Sequence, residues 1–168
     1  MDERYPIGTF QVEGDINRTL THLWIEEIAS LPKKLREAVS GLSNEQLDTP
    51  YRDGGWTIRQ VVHHIADSHM NAYIRFKLAL TEESPVIKPY EEARWAELED
   101  SKLPVEVSLT LIESVHSRLI TLLKGVSDDD LKRTFVHPDS GIVTVEKNIG
   151  LYAWHGNHHL AHITNAKL

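Results

Sequence analysis

Four of the ten histidines of this 168-residue chain fall within eight consecutive residues: His155, His158, His159 and His162. On a helix, at about 100° per residue, His155, His158 and His162 project within roughly 60° of one another, and His159 within about 100° of the whole set. The apolar positions of the same stretch, Ile149, Tyr152, Ala153, Leu160 and Ile163, centre some 100–120° away. The imidazoles therefore border the core-facing side of the helix rather than scatter through it. An isolated helical histidine is ordinarily a packed or solvated residue, but histidines at i and i+4 bring two borderline-soft nitrogen donors to about 5–6 Å between Cβ atoms, a spacing that chelates one divalent ion. Two donors do not complete a site. Structural zinc takes four protein ligands and catalytic zinc commonly three plus water, so a further donor has to come from elsewhere in the chain.

The segment from Trp56 to His69 supplies three more histidines, His63, His64 and His69. Thr57 and Gln60 form an S/T-x-x-E/Q capping box, which predicts a helix starting there and running through Phe76 to about Leu80. Its buried stripe is Ile58, Val61, Ile65, Ala72, Tyr73 and Phe76. His63 projects almost opposite that stripe and is expected in solvent. His64 flanks it and His69 sits near its centre, so periodicity does not choose between them, and a core histidine satisfied by a hydrogen bond is the default for His69.

Composition bounds the rest. The length and the 40% hydrophobic content fit a single domain over residues 1–168 with a sizeable core. The absence of cysteine removes disulfides, thiolate catalysis and cysteine-based metal clusters together, and is compatible with a reducing cytoplasm. There is no run of 18 apolar residues, and Met1 to Gly8 lacks the apolar core of a secretion signal. A soluble cytoplasmic protein is expected, with no membrane role. The net charge of −7, without a basic run, argues against a nucleic-acid partner.

Along the chain, Leu20, Leu23, Ile28, Leu31, Leu35, Val39 and Leu42 predict a long first helix in which Pro32 is a kink or interruption. A short turn follows at Ser43, and the loop from Asp48 to Gly55 leads into the capped helix. Pro85 to Pro89 is a break, Glu91 to Glu99 a short surface helix, and Pro104 opens a third long helix that uses Val107, Leu111, Val115, Leu119 and Leu122 and stops at Gly125. His116 reads as a polar or edge position on it. Thr134 to Thr144 suggests a turn or short hairpin, with Thr144 as N-cap of the histidine-rich last helix. Four long helices joined by longish crossings predict an all-α chain, a four-helix bundle with short additional helices and a small hairpin-like connection, a fold that often houses metals between facing helices.

These residues resemble the DinB/YfiT superfamily. The resemblance rests on Trp56-Thr57 with His64-Ile65 and on His158 with His162, and is closest to the YfiT-like branch through Tyr5-Pro6-Ile7-Gly8, Thr49 to Trp56, and Trp154 to Thr164. It implies a four-helix bundle, commonly a homodimer, with one divalent metal per subunit on three histidines. Position by position, the resemblance assigns the ligands to His64, His158 and His162, favouring His64 over His69. It also implies either a transferase that conjugates a low-molecular-weight thiol, bacillithiol in this branch, to small electrophiles, or a metal-dependent hydrolase. A third alternative is a non-catalytic metal-binding stress protein. Three imidazoles with open positions suit a catalytic site, and imidazole suits Zn2+ and Ni2+ alike. Arg52 is a candidate for gripping an acidic group of the thiol, and Asp67, one turn after His64, a candidate general base, with a supporting contact to an imidazole N–H as its other role. Tyr152, Trp154 and His155 are candidates for lining the pocket.

Overall fold

Helix starts follow the local side-chain chemistry. In the computed structural model, which describes residues 2–168, α1 (Arg18–Val39) begins where Asn17 accepts from the Leu20 amide. The short α2 (Asn44–Leu47) and the long α3 (Ile58–Thr81) both begin at reciprocal capping boxes, Ser43 with Gln46 and Thr57 with Gln60. Such a cap contributes about 1 kcal/mol each by satisfying amides that the first helical turn leaves open. After α4 (Glu92–Trp95) and a 3-10 turn (Glu99–Lys102), α5 (Val105–Lys124) runs from Pro104 to Gly125. Then come α6 (Asp128–Leu131), an antiparallel hairpin of β1 (Thr134–His137) and β2 (Gly141–Thr144) pairing Phe135 with Val143, and α7 (Val145–Thr164), capped by the Thr144 hydroxyl. The Pro85–Ile87 segment runs beside β1, with the Ile87 amide donating to the Val136 carbonyl at 2.9 Å.

α1 packs on α7 and α5, and α3 packs on α5 and α7. The result is the four-helix bundle anticipated, with the short helices and the hairpin in its connections. Its apolar interior is divided along the bundle axis. One cluster gathers Ile25 and Ile28 of α1, Ala72 and Phe76 of α3, Leu119 and Leu123 of α5, and Ile149 of α7. The other gathers Leu31 and Leu35, Val61 and Ile65, Leu109 and Ile112, and Ile163. Between them in sequence, α3 carries His69, α5 carries His116, and α7 carries His155 through His162. The waist of the bundle is thus a layer of imidazoles between two apolar layers.

Three expectations are corrected. Pro32 does not interrupt α1, which continues through it. The buried face of α5 is Ser108, Leu109, Ile112, His116, Leu119 and Leu123, while Val107 is exposed. The phase differs because two polar residues, Ser108 and His116, the latter read as a polar or edge position, face polar partners on α3. His116 is 2% exposed and pairs with His69 at 2.7 Å. His63, expected in solvent, is 5% exposed, with one ring nitrogen 2.6 Å from the Ser108 hydroxyl and the other 2.8 Å from the Leu103 carbonyl. α3 is covered on that side by α5 and by the 3-10 turn, so its apolar stripe marks only part of its buried surface. Two hydrogen bonds satisfy both nitrogens of the His63 ring and offset the cost of burying it. Among the described residues no helix is long and apolar enough to cross a membrane.

Candidate metal centre

α3 and α7 bring the imidazoles together at the bundle waist. His64 lies with its ring centre 4.7 Å from that of His159 and 5.3 Å from that of His155, and its Nε2 is 3.3 Å from Nε2 of His155. His64, His155 and His159 each offer a nitrogen, all within 4.8 Å of one another. A second group meeting the same limit, His158, His159 and His162, lies wholly on α7. The set expected from the resemblance, His64 with His158 and His162, is not one of the groups that close to this distance among the described residues. His159 belongs to both groups, so the two cannot be filled independently.

Burial drives these rings towards the neutral form. His64 is lowered to about 4, first by burial and then by the neighbouring His158 and His162. His158 is lowered to about 4 by burial and by His162. Burial likewise holds His155 and His159 well below the ordinary histidine range. Neutral imidazole is the ligating form, so no proton has to be displaced near pH 7. Two nitrogens bound to one zinc at about 2.0–2.1 Å each, at a tetrahedral angle, stand about 3.4 Å apart. The separation of His64 and His155 fits that requirement.

Each group opens on its own cavity. His64, His155 and His159 line one of about 430 Å3, together with Trp56, Ser68, Arg75, Tyr90, Glu92 and Tyr152. His158, His159 and His162 line another of about 320 Å3 with Arg4, Tyr5, Tyr51 and Arg52. Arg52 therefore sits in the second cavity, where it donates to the Tyr51 hydroxyl at 3.2 Å and to the Asp53 carbonyl at 2.9 Å. Asp67 lines neither of them. Its carboxyl is pushed up to about 6, by burial first and by Asp100 second. Tyr152 and His155 line the first cavity as expected, whereas Trp154 stacks on His158 with ring centres 4.5 Å apart and donates to the Gly8 carbonyl. A larger cavity of about 780 Å3, around Arg59 and Lys102, contains none of the histidines.

Residues 27–163 match the family model described as the DinB superfamily. The chain belongs to the DinB superfamily. A relative from Oceanobacillus iheyensis, named "Putative metal-dependent hydrolase", is 61% identical over 165 residues, covering 98% of this chain and 96% of its own. A Bacillus cereus relative with the same description is 58% identical over 166 residues, covering 99% and 96%. Among solved structures, YfiT from Bacillus subtilis, described as "a probable metal-dependent hydrolase with an unusual four-helix bundle topology", superposes with a TM-score of 0.94 at 51% identity, covering 98% of this chain and 95% of that one.

Within this DinB chain, sequence reasoning missed Ser68, Arg75, Tyr90 and Glu92 as cavity residues. Ser68 lies one turn beyond His64 and Arg75 two turns beyond Ser68, so both follow His64 along one face of α3, a spacing visible in the sequence. Tyr90 and Glu92 come from the crossing between α3 and α5, where no periodicity marks them.

Proposed function

We propose that this chain is a metal-dependent enzyme whose divalent ion is held by His64, His155 and His159. The carrying observation is that these three are a group of neutral donors drawn from two facing helices, and all three line one cavity. The pair His158 and His162 carries the same i,i+4 spacing but lies on the side where the N-terminal segment closes over α7: the Arg4 carbonyl is 3.1 Å from Nε2 of His162, and Tyr51 stacks on the same ring with centres 4.1 Å apart. A three-histidine ion with open positions supplies Lewis acidity, polarising a substrate oxygen or lowering the pKa of a water or thiol. Around it, Arg75 offers a cation for an acidic substrate group, Tyr90, Tyr152 and Ser68 offer hydroxyls, and Glu92 offers a carboxylate able to take a proton. Zn2+ and Ni2+ both suit the imidazole set.

The names of the relatives support hydrolysis, and Glu92 on the cavity wall supplies the proton acceptor that hydrolysis needs. A second reading, transfer of an acidic low-molecular-weight thiol to a small electrophile, is favoured by a chain that has no cysteine nucleophile of its own and by Arg75 in the cavity. The test loads the protein with Zn2+ or Ni2+ and assays it against esters and amides, and separately against bacillithiol with an alkylating electrophile. Turnover in one arm that disappears in His64→Ala, His155→Ala and His159→Ala assigns the reaction. Tight ion binding with neither activity leaves the metal-binding protein. Elemental analysis of the same variants beside His158→Ala and His162→Ala decides the ligand set, since each true ligand abolishes tight binding when removed.

A further inference from the structure

Imidazoles behind the cavity are ordered end to end and lead into one that lines it, His155. His116 Nδ1 lies 2.8 Å from the Ile28 carbonyl, His69 Nδ1 lies 2.7 Å from His116 Nε2, and His155 Nδ1 lies 3.1 Å from His69 Nε2. A carbonyl can only accept, so the first contact puts the proton of neutral His116 on Nδ1 and leaves its Nε2 bare. The bare nitrogen accepts from His69 Nδ1–H, whose own bare Nε2 accepts from His155 Nδ1–H. Proton placement thus propagates from a backbone oxygen on α1 through one ring on α5, one on α3 and one on α7. Ile28 is free to start this series because of Pro32. The residue four positions on would ordinarily donate to the Ile28 carbonyl, and proline has no N–H.

A shorter series reaches the next ligand. His162 Nε2 lies 3.1 Å from the Arg4 carbonyl, and His162 Nδ1 lies 3.2 Å from His159 Nδ1. By the same reasoning His162 donates through Nε2, its bare Nδ1 accepts from His159 Nδ1–H, and Nε2 of His159 is left bare.

We infer that these two relays, Ile28 carbonyl–His116–His69–His155 and Arg4 carbonyl–His162–His159, hold both α7 ligands in the Nδ1–H form so that each offers its Nε2 lone pair to the ion. His69, His116 and His162 are then positioning residues. The inference rests on His64, His155 and His159 being the ligands, and it accounts for why so many buried imidazoles sit side by side. It also explains the approach of His155 Nε2 to His64 Nε2 at 3.3 Å: a bare nitrogen there needs a proton from His64 or a shared cation. Partners that orient a ligating imidazole through its other nitrogen change metal affinity by about 10–100-fold.

The test uses the full chain with 15N-labelled histidine. Long-range 15N–1H correlation spectra of the metal-free protein read the tautomer of each ring, and calorimetric titration with Zn2+ reads affinity. His155 and His159 are expected as Nδ1–H. In His116→Phe the His155 tautomer becomes mixed and Zn2+ binding weakens about 10–100-fold. His116→Gln, whose amide can donate to Ile28 and accept from His69, restores both. Finding His155 as Nε2–H in the wild-type chain overturns the inference, as does a folded His116→Phe that keeps both tautomer and affinity. Should His116→Phe not fold, the wild-type tautomer and the Gln variant decide it. Failure of the ligand assignment is seen separately, as undiminished Zn2+ binding in His155→Ala or His159→Ala.

Discussion

Replacing Gly156 by alanine tests how tightly α7 must approach α1 to present its histidines. A Cβ at Gly156 would lie 2.7 Å from Leu31 Cδ2, 3.3 Å from its Cδ1 and 3.4 Å from its Cγ. Carbon atoms sit best at about 3.5–4.0 Å, so the first contact is short by about 1 Å. Rotating Leu31 does not clear it, because all three branch atoms crowd the same point and the side chain is 1% exposed within its cluster. Either Leu31 leaves its packing or the helices separate. Overpacking of this kind costs about 1–3 kcal/mol, against a gain of about 1 kcal/mol for alanine over glycine inside a helix. The net expectation is a loss of up to about 2 kcal/mol, and about 2–4 °C in Tm for each kcal/mol in a chain of this size. Because Gly156 adjoins His155, separation also moves His155 and His159 relative to His64, and Zn2+ affinity falls. Urea unfolding of the metal-free protein and calorimetric Zn2+ titration measure the two effects, and a double-mutant cycle with Leu31→Ala reports their coupling. Gly150→Ala is the comparison: its Cβ would meet Trp24 and Phe10 at 2.8–2.9 Å, but both rings are only partly buried and can swing aside, so the change is near neutral. A Gly156→Ala protein that is about 1 kcal/mol more stable, with unchanged Zn2+ affinity, would refute the reasoning.

His63→Ala should destabilise the metal-free protein by about 1–3 kcal/mol, since it strands the Ser108 hydroxyl and the Leu103 carbonyl, while leaving Zn2+ stoichiometry unchanged; elemental analysis after gel filtration checks the second half. Lowering pH should destabilise the metal-free protein between about 6.5 and 4, because its buried neutral histidines gain protons only on unfolding. For His64, held at about 4, this amounts to roughly 3 kcal/mol by the lower limit. Asp67, raised to about 6, acts in the opposite sense over the same range and offsets part of the loss, so Asp67→Asn should steepen the acid limb of the stability curve. Because burial holds the metal-free His64 ring at about 4, protons compete for the site only near and below that value: Zn2+ should stay bound at pH 5 and be released as pH falls below about 4, and release already near pH 6 would contradict buried neutral ligands. One ion per chain is expected even in a variant that cannot self-associate, since every proposed ligand lies on one chain; loss of binding together with association would contradict this.

The long helices were legible in the sequence because their caps and apolar spacing agree: Thr57 with Gln60, Thr144, and Gly125 each stand where the helix begins or ends. The histidine-rich face of α7 was legible for the same reason. Spacing alone does not choose a pair within it, because His155/His159 and His158/His162 share one i,i+4 spacing and differ only by a rotation about the helix axis. His63 and His116 were misplaced because periodicity equates polar with exposed. That rule fails where two polar stripes face each other across α3 and α5, each satisfying the other.

Pro32 has a consequence for anyone who engineers this chain for heat resistance. A proline inside a helix costs roughly 3 kcal/mol, so exchanging it for alanine is an obvious stabilising change, and a screen scored by melting temperature alone would select it. The new N–H would compete for the Ile28 carbonyl that now receives His116. A sturdier helix would come with a less well-defined proton arrangement three rings away, at His155, a trade between durability and function concealed in a residue remote from the cavity.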